Sequence, residues 1–394
     1  MANRVQSVCA GNEVKRASCA LLTLLVTLLC GMQAFAAPLR FDAQGKFKIL
    51  LIADPQDDQT PEPDMAPLID AAIRKTQPDL IVVLGDLVEN WAVSKEYGSD
   101  GEARELSYEE TLENCRVALD CVFAPIIASG IPYTAVLGNN DYKAGVTAED
   151  WYALLRRQKG ILLPETRVYA DGRTDNVLSV RGTDGGEALR LFLLDTGKSG
   201  VTGEQVNAFG ELNDDRSVPA IVLQHIPVPE TYTLWRLCSP WADGAEHLKW
   251  FIRVRLSPRT ARGEDSGRLL KNGFSRQFRS WKACGNVIGA YFGHVHNVSA
   301  EGTYGGLRLG LVYSDRWNGN FRHGCALLTF DQNDVEHYTW TVFRCTGSVT
   351  TGDAVLNEEK DEPYPTYTVA AWLSRQWQGL TGYLQEKIDR IFHS

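Results

Sequence analysis

Five short polar segments of this chain each follow a run of apolar residues and end in side chains that bind metal ions. They are Asp54-Pro55-Gln56, Gly85-Asp86, Gly138-Asn139-Asn140-Asp141, Gln224-His225 and Gly293-His294-Val295-His296. Four of the preceding runs (47–53, 80–84, 134–137 and 220–223) are apolar and rich in β-branched residues, which favours strands, and the fifth (286–292) is mixed. Strands that end in ligand loops collect those ligands at one edge of a sheet. The pattern therefore predicts a hydrolytic centre with two metal ions.

The elements predicted between these segments indicate an α/β fold. Helices are expected at 67–75, 108–127 and 148–158, alternating with the first three strands. Between residues 168 and 194, short strands are separated by Asp171-Gly172 and Asp184-Gly185-Gly186, which are hairpin turn signals. Further strands are expected at 307–313, 325–330 and 337–343. This alternation is typical of a layered α/β domain.

The order and spacing of the five segments resemble the calcineurin-like metallophosphoesterase superfamily. Its pattern runs Asp-x-His, Gly-Asp-x-x, Gly-Asn-His-Asp/Glu, a lone His and Gly-His-x-His, and the resemblance covers roughly residues 46–345. The segment from Gln224 to Glu230 (Gln-His-Ile-Pro-Val-Pro-Glu) and the stretch after Gly293-His294 are similar to a purple-acid-phosphatase-like branch of bacteria and plants. The resemblance implies a four-layer αββα sandwich, in which two central sheets have helices outside.

The resemblance also implies a ligand set for two divalent ions, either Mn, Fe or Zn. Asp86 would bridge them, because one carboxylate has two oxygens and reduces the repulsion between two cations. The first ion would also take Asp54, Gln56 and His296, and the second Asn139, His225 and His294. On a strand, His294 and His296 would point the same way. They reach different ions only if the backbone loops, a freedom that Gly293 would supply.

Two positions, Gln56 and Asn140, depart from the family pattern, and Glu89 departs from its ferric purple branch. Gln56 stands where a His ligand is usual, so it either binds the first ion through its carbonyl oxygen or hydrogen-bonds a metal-bound water. Direct binding would weaken that site and favour harder ions such as Mn²⁺. Asn140 replaces the catalytic His and can donate a hydrogen bond but no net proton, while Asp141 would orient its neighbours. Glu89 replaces the Tyr ligand of the ferric purple enzymes, which favours divalent ions.

The predicted function is a phosphoesterase that cleaves phosphate mono- or diesters by attack of a metal-bound hydroxide. A phosphorylated small molecule or nucleotide-like compound is the expected substrate. The resemblance places the polar loop 315–324 at the rim of the site, where Arg316, Arg322 and His323 are candidates for contacting phosphate. The basic stretch 249–282 is either a substrate cap or a solvated helical face. The alternative functions are a catalytically silent metal- or phosphate-binding protein on the same fold and a structural envelope protein.

Both ends of the chain are set apart from the predicted catalytic domain, which spans residues 37–350. Residues 1–36 have basic residues, an apolar run over 17–31 and the small-residue pattern Ala34-Phe35-Ala36, which together predict a cleaved signal peptide. An uncleaved anchor is the alternative, but the run is shorter than the ~20 residues of a membrane-spanning helix. The protein is therefore expected to be secreted or periplasmic, with no transmembrane segment after cleavage. The tail, 351–394, has apolar residues near helical spacing and is predicted to be a docked amphipathic helix rather than a membrane contact.

Composition restricts the remaining possibilities. With 394 residues, 44% of them hydrophobic, the chain can bury a large core. Its formal charge of −9 argues weakly against non-specific binding of nucleic acid. Six cysteines lie beyond residue 36, so an oxidising compartment would permit up to three disulfides, although some are expected to be buried thiols. The sequence predicts no oligomeric state.

Overall fold

The computed structural model describes residues 38–98, 102–238, 246–249, 252–256, 261–263, 275–296, 299–314, 323–346 and 355–358. The predicted signal peptide lies outside these residues. Of the tail, 351–394, only residues 355–358 are described, and they form a strand rather than the predicted helix. Within the described ranges, every helix is too short or too polar to cross a bilayer.

The strands and helices of the described residues alternate along the first half of the chain. In chain order the strands are β1 (Lys46–Ile52), β2 (Leu80–Leu84), β3 (Lys95–Tyr97), β4 (Ala103–Glu105), β5 (Tyr133–Val136), β6 (Arg167–Val168), β7 (Thr174–Arg181), β8 (Glu187–Leu194), β9 (Ala220–Gln224), β10 (Trp235–Cys238), β11 (Glu246–Lys249), β12 (Ile252–Leu256), β13 (Ala261–Gly263), β14 (Val287–Phe292), β15 (Ala300–Tyr304), β16 (Leu307–Leu311), β17 (His323–Asp331), β18 (Thr339–Thr346) and β19 (Val355–Glu358). The α-helices are α1 (Met65–Thr76), α2 (Asn90–Ser94), α3 (Tyr108–Ser129), α4 (Asn139–Lys143), α5 (Ala148–Arg156), α6 (Gly203–Leu212) and α7 (Arg276–Cys284). Short 3-10 helices cover Pro229–Leu234 and Val335–His337.

Two mixed sheets form the centre of the molecule. The six-stranded sheet has the order β19-β18-β17-β1-β2-β5, and β1, β2 and β5 are parallel. The eight-stranded sheet has the order β13-β15-β16-β14-β9-β8-β7-β6, and β8, β9, β14 and β16 are parallel. The carboxyl ends of parallel strands lie at the same edge of a sheet. The loops after β1, β2 and β5 are thus gathered on the first sheet, and those after β9 and β14 on the second.

The hydrophobic core has three layers, as a four-layer sandwich requires. Strand β1 shows the alternation that creates two of them: Leu50 and Ile52 pack with helices α1 and α3, whereas Ile49 and Leu51 pack between the two sheets. A third cluster lies under α6 and α7 on the far side of the second sheet. The predicted αββα architecture is therefore confirmed.

The predicted strands and hairpins correspond closely to the structure, but four of the described helices, α2, α4, α6 and α7, were not predicted. The β6–β7 and β7–β8 pairs are antiparallel hairpins at the expected turns. Helix α6 contains Gly203 and Gly210, which weaken its helical signal. Helix α7 lies in the basic stretch 249–282; it buries Phe278 and Trp281 and exposes Arg276. The described end of that stretch is therefore a packed helix with one solvated face.

Three disulfides do not form in this structure. Cys115, Cys121 and Cys284 are free thiols, which leaves too few of the six cysteines for three pairs. Cys115 and Cys121 both lie on the single helix α3, where side chains six positions apart point in different directions. Cys115 is fully buried, in agreement with the expectation that some cysteines are core thiols.

Candidate metal centre

Predicted ligands from both sheets meet in one cluster. Asp86, His225 and His294 form one group, and Asp54, Asp86 and His296 form another. Within each group, one donor atom from each residue lies within 4.8 Å of the others. Asp86 belongs to both groups. The structure thus has two donor sets that share a carboxylate, which is the arrangement that a pair of bridged cations requires.

His225 is held in the orientation of a metal ligand. It is fully buried, and its Nδ1 lies 2.8 Å from the carbonyl oxygen of Leu84. A proton on Nδ1 would donate to that carbonyl, leaving the lone pair of Nε2 directed at Oδ1 of Asp86, 3.2 Å away. Burial lowers the pKa of His225, but the charges of Asp86 and Asp54 outweigh this and raise it to about 9. The same negative charges would attract a cation.

Asn139 completes the first donor set. Its carbonyl oxygen lies 3.3 Å from Nε2 of His225, and its side-chain amide faces Nδ1 of His294 at 2.7 Å. The two imidazole nitrogens are themselves 3.3 Å apart. Three lone pairs that converge in this way would be stabilised by a cation between them. Rotation of the amide would instead let its nitrogen donate to both rings, so the side chain also suits a metal-free site.

The second donor set surrounds Asp54, which is fully buried. Its Oδ1 lies 3.4 Å from Nε2 of His296, and the backbone nitrogen of His294 donates to its two oxygens at 3.1 and 2.9 Å. Gln56 lies beside this set and donates from Nε2 to Oδ2 of Asp86 at 3.0 Å. The amide nitrogen of Gln56 thus faces the shared carboxylate. Direct binding of a metal by Gln56 stays a prediction.

The backbone turns sharply where the ligands leave the strands. Among the described residues, six non-glycine residues have positive φ, and four are predicted ligands: Asp54 (48°), Gln56 (44°), Asp86 (50°) and His294 (70°). This left-handed conformation costs about 1 kcal/mol or more per residue and is concentrated at functional sites. The turn at His294 confirms the predicted loop that separates the two imidazoles.

The prediction that Gly293 supplies torsional freedom to the backbone is wrong. The left-handed residue is His294, and Gly293 is not among the residues with positive φ. A Cβ at Gly293 would lie 2.6 Å from Oδ2 of Asp54 and 2.9 Å from the carbonyl oxygen of Leu84. Both distances are shorter than real Cβ contacts allow. Glycine is therefore needed at this position for close packing against the site rather than for torsional freedom.

Asn140 and Asp141 hold the ligand loops together. Asn140 donates to both oxygens of Asp86, from its backbone nitrogen at 2.7 Å and from Nδ2 at 3.0 Å. Asp141 is buried and accepts from the backbone nitrogens of Gly138 (2.7 Å) and Val88 (3.1 Å). Burial and the charge of Asp86 raise the pKa of Asp141 to about 8. These bonds fit the predicted orienting role of Asp141.

The matching family agrees with this geometry. Residues 47–298 match the family model of the calcineurin-like phosphoesterases. The chain belongs to this family. The matched region begins in β1 and extends just past His296, so it includes all seven predicted metal ligands of this calcineurin-like phosphoesterase.

Two curated plant proteins and one solved structure are similar to this chain. Probable inactive purple acid phosphatase 14 of Arabidopsis thaliana is 27% identical over 262 residues, which are 53% of this chain and 61% of that protein. Probable inactive purple acid phosphatase 29 of the same plant is 26% identical over 184 residues, or 40% of this chain and 42% of that protein. The chain thus spans less than two thirds of either relative. A dimetal phosphatase from Danio rerio is 14% identical, with a TM-score of 0.46 over 76% of this chain and 95% of that one.

The predicted phosphate contacts are only partly described. Arg316 and Arg322 lie outside the described residues. His323 is buried and is the first residue of β17. It lies three residues before Ala326, which pairs with Leu51 of the antiparallel strand β1. It therefore lies near the edge from which Asp54 emerges, and its contact with phosphate stays a prediction.

A buried polar network beside the phosphoesterase centre was not predicted. The hydroxyls of Tyr142 and Tyr152 donate to Oδ2 of Asp195 at 2.6 and 2.8 Å. The backbone nitrogen of Asp195 and Nε2 of Gln205 donate to Oδ1 of Asp175 at 3.0 and 2.9 Å. The network joins α4, which carries Asn140, to the second sheet. Its members are spread over 64 positions without a motif, so only the folded chain reveals them.

This network is expected to make stability depend on pH. Burial raises the pKa of Asp175 from 3.8 to about 6, so the folded state holds this proton more tightly than the unfolded state. The free energy of unfolding should therefore fall as pH rises from about 4 to 6. Above that range the loss of stability caused by the buried Asp175 charge should be complete. Urea unfolding at pH 4 and pH 7 measures this change. Between these pH values, the free energy of unfolding should fall by up to about 3 kcal/mol more in wild type than in Asp175→Asn. Asp184→Asn, in an exposed turn, should follow wild type. Parallel curves for Asp175→Asn and wild type would contradict the expectation.

Proposed function

We propose that this chain is a dinuclear metal-dependent phosphoesterase that hydrolyses phosphate mono- or diesters. The observation that carries the proposal is Asp86, which belongs to both donor groups and lies with two of its contacts, His225 and Gln56, in a buried cluster. Membership in the calcineurin-like family supports phosphoester chemistry in general. We propose in addition that two ions bind, that the substrates are phosphate mono- or diesters, and that the protein catalyses their hydrolysis.

Each of the two proposed ions would have its own set of ligands among the described residues. Asn139, His225 and His294 would hold one ion, Asp54 and His296 would hold the other with the help of Gln56, and Asp86 would contact both. Mixed imidazole, carboxylate and carbonyl donors suit Mn²⁺, Fe²⁺ or Zn²⁺. When bound, the ions would polarise the phosphoryl group and acidify the attacking water. The chain itself fixes the donor positions through its buried hydrogen bonds and left-handed turns, so little reorganisation is needed during reaction.

A catalytically silent metal- or phosphate-binding protein is the alternative. Two observations favour it: the plant relatives carry the word inactive in their names, and Asn140 replaces the usual catalytic His. Against it, every predicted ligand position keeps a donor atom, and the donors converge. Purified protein should hydrolyse p-nitrophenyl phosphate or its bis-aryl diester when Mn²⁺, Fe²⁺ or Zn²⁺ is added. No turnover with any of these ions, despite stoichiometric metal binding, would establish the silent alternative.

The leaving-group dependence of the rate should reveal the role of Asn140. Its backbone N–H and its side-chain amide both donate to Asp86, and an amide supplies no net proton. The rate should therefore fall steeply as the leaving-group pKa rises, so aryl esters should react well and alkyl esters poorly. Asn140→His should flatten this dependence and help the poorest leaving groups by about 10-fold, below the usual 10²–10⁴ because the pocket is not built for imidazole.

The test is a series of phosphate esters of graded leaving-group pKa, measured on both proteins with saturating Mn²⁺. Asn333→His, at an exposed turn, is the control and should keep the wild-type slope. A flat dependence in the wild type would mean that another residue donates the proton.

A further inference from the structure

A cleft of about 610 Å³ opens directly onto the metal centre. Asn139 and His294, both from the His225 donor set, line its inner end. The cleft continues along the loop at 198–203, which precedes α6, and along the start of α7. A group joined to a phosphoryl at the metal centre would thus extend along this cleft.

Three cations line the cleft: Lys143, Lys198 and Arg276. All three are exposed, and among the described residues none of them forms an ion pair. Lys143 lies beside the ligand loop, with Nζ 3.5 Å from Oδ1 of Asn140. The chain as a whole is acidic, with a net charge of −9, so the positive charge of this cleft is opposite in sign to that of the whole chain. It would attract a second anionic group on the substrate.

The rest of the cleft wall combines apolar and polar residues. Val206, Ile226, Pro229 and Tyr232 are half-buried and form the apolar parts of this wall. Small-molecule sites combine such apolar walls with a few placed polar groups. The cleft therefore suits a ligand that has an anionic portion near the metals and an organic portion beyond it.

The chemistry of Asn140 points to the same ligand. Without a proton donor at this position, the leaving group must depart readily as an anion. A phosphate released from an anhydride does so, whereas an alkoxide does not, and the three cations would stabilise the charge that develops on it.

We infer that the substrate is an organic diphosphate, cleaved at its phosphoanhydride bond; this inference rests on the proposed function. The oxygen of water would bond to the phosphorus at the metal centre, and the bond from that phosphorus to the bridging oxygen would break. The electron pair stays on the departing organic phosphate, the proton of water goes to solvent, and two phosphates result. The anionic leaving phosphate would lie against Lys198 and Arg276.

Binding of non-hydrolysable ligands tests the inference without turnover. Calorimetry on Mn²⁺-loaded protein should show that methylenediphosphonate binds more tightly than methylphosphonate. The Lys198→Ala/Arg276→Ala double variant should weaken diphosphonate binding by about 10- to 100-fold, the range for one or two charge-assisted hydrogen bonds, and leave methylphosphonate nearly unchanged. The matched control is Lys75→Ala/Lys159→Ala, which removes the same charge from exposed positions. The Lys159 carbonyl accepts from Tyr133, at the opposite end of β5 from the site. This control should bind both ligands as wild type does.

A kinetic arm separates failure of the inference from failure of the proposed function. Phenyl diphosphate should have a higher kcat/KM than phenyl phosphate, and the double variant should lose that advantage. Hydrolysis of p-nitrophenyl phosphate combined with equal binding of the two phosphonates would overturn the inference and leave the proposed function intact. Tight diphosphonate binding that depends on Lys198 and Arg276, without hydrolysis of any ester, would support the anion site and overturn the proposed function. An equal loss of binding in the control variant would also overturn the inference.

Discussion

Replacement of Asp86 by alanine is expected to abolish hydrolysis and to reduce bound metal at both positions. Asp86 is the one residue shared by the two donor groups of the described chain. Its loss would remove the charge that bridges the two proposed cations, and it removes the acceptor for Asn140 and Gln56. We expect kcat/KM to fall by at least ~10³-fold, which corresponds to about 4 kcal/mol of transition-state stabilisation.

Two companion variants separate this effect from misfolding. Asp86→Asn keeps the side-chain volume and removes only the charge, so it should fold and still lose metal. Asp184→Ala, in an exposed turn, should keep both ions and wild-type activity. Metal content measured on purified, folded protein gives the answer. Wild-type turnover with two ions in folded Asp86→Ala protein would remove the two-metal hypothesis.

A single methyl group at Gly138 is expected to have the second-largest effect. A Cβ there would overlap the backbone nitrogen and Oδ1 of Asp86, closer than any real Cβ contact. Neither atom can easily move away, since one belongs to the backbone and the other, Oδ1, is buried and accepts from the backbone nitrogen of Asn140. Gly138→Ala should therefore lower the free energy of unfolding by about 1–3 kcal/mol, as overpacking does. It should reduce kcat/KM by about 100-fold or more, because a displacement of about 1 Å is enough for that.

Gly210→Ala is the matched control for this substitution. Gly210 lies within helix α6, and a Cβ there meets no heavy atom within 4 Å. The change should leave activity unaffected and stabilise the protein by about 0.5–1 kcal/mol. Thermal unfolding and steady-state kinetics of both variants check the pair. Equal behaviour of Gly138→Ala and Gly210→Ala would show that the strand end tolerates a side chain and that the site is less tightly packed than described.

The sequence predicted those parts of the structure that depend on local pattern. Apolar β-branched runs such as Leu80–Leu84 have few alternatives to a buried strand, and this strand has the predicted bounds. Hairpin turns at Asp171-Gly172 and Asp184-Gly185-Gly186 were also located, because glycine turn chemistry acts over a few residues. The ligand segments could be assigned to one centre since parallel strands leave their ends together.

Side-chain relations across the fold could not be predicted in this way. Lys198 and Arg276 line one cleft although they are distant in sequence; Arg276 lies in the basic stretch 249–282, whereas Lys198 belongs to no motif. Lys143 had a local signal, since it lies three residues after Asn140 on helix α4 and thus on the same side. The close approach of Gly293 to Asp54 depends on how the two sheets pack. Strand periodicity does not determine the distance between the sheets.

The origin of the ligands in two different sheets has a consequence for how the protein assembles. Asp54, Asp86 and Asn139 follow strands of the six-stranded sheet, whereas His225, His294 and His296 follow strands of the eight-stranded sheet. Neither half of the ligand set can hold both cations before the sheets have docked. The proposed ions would therefore bind only after the sheets have docked, and they would then stabilise the contact between the two halves of the sandwich.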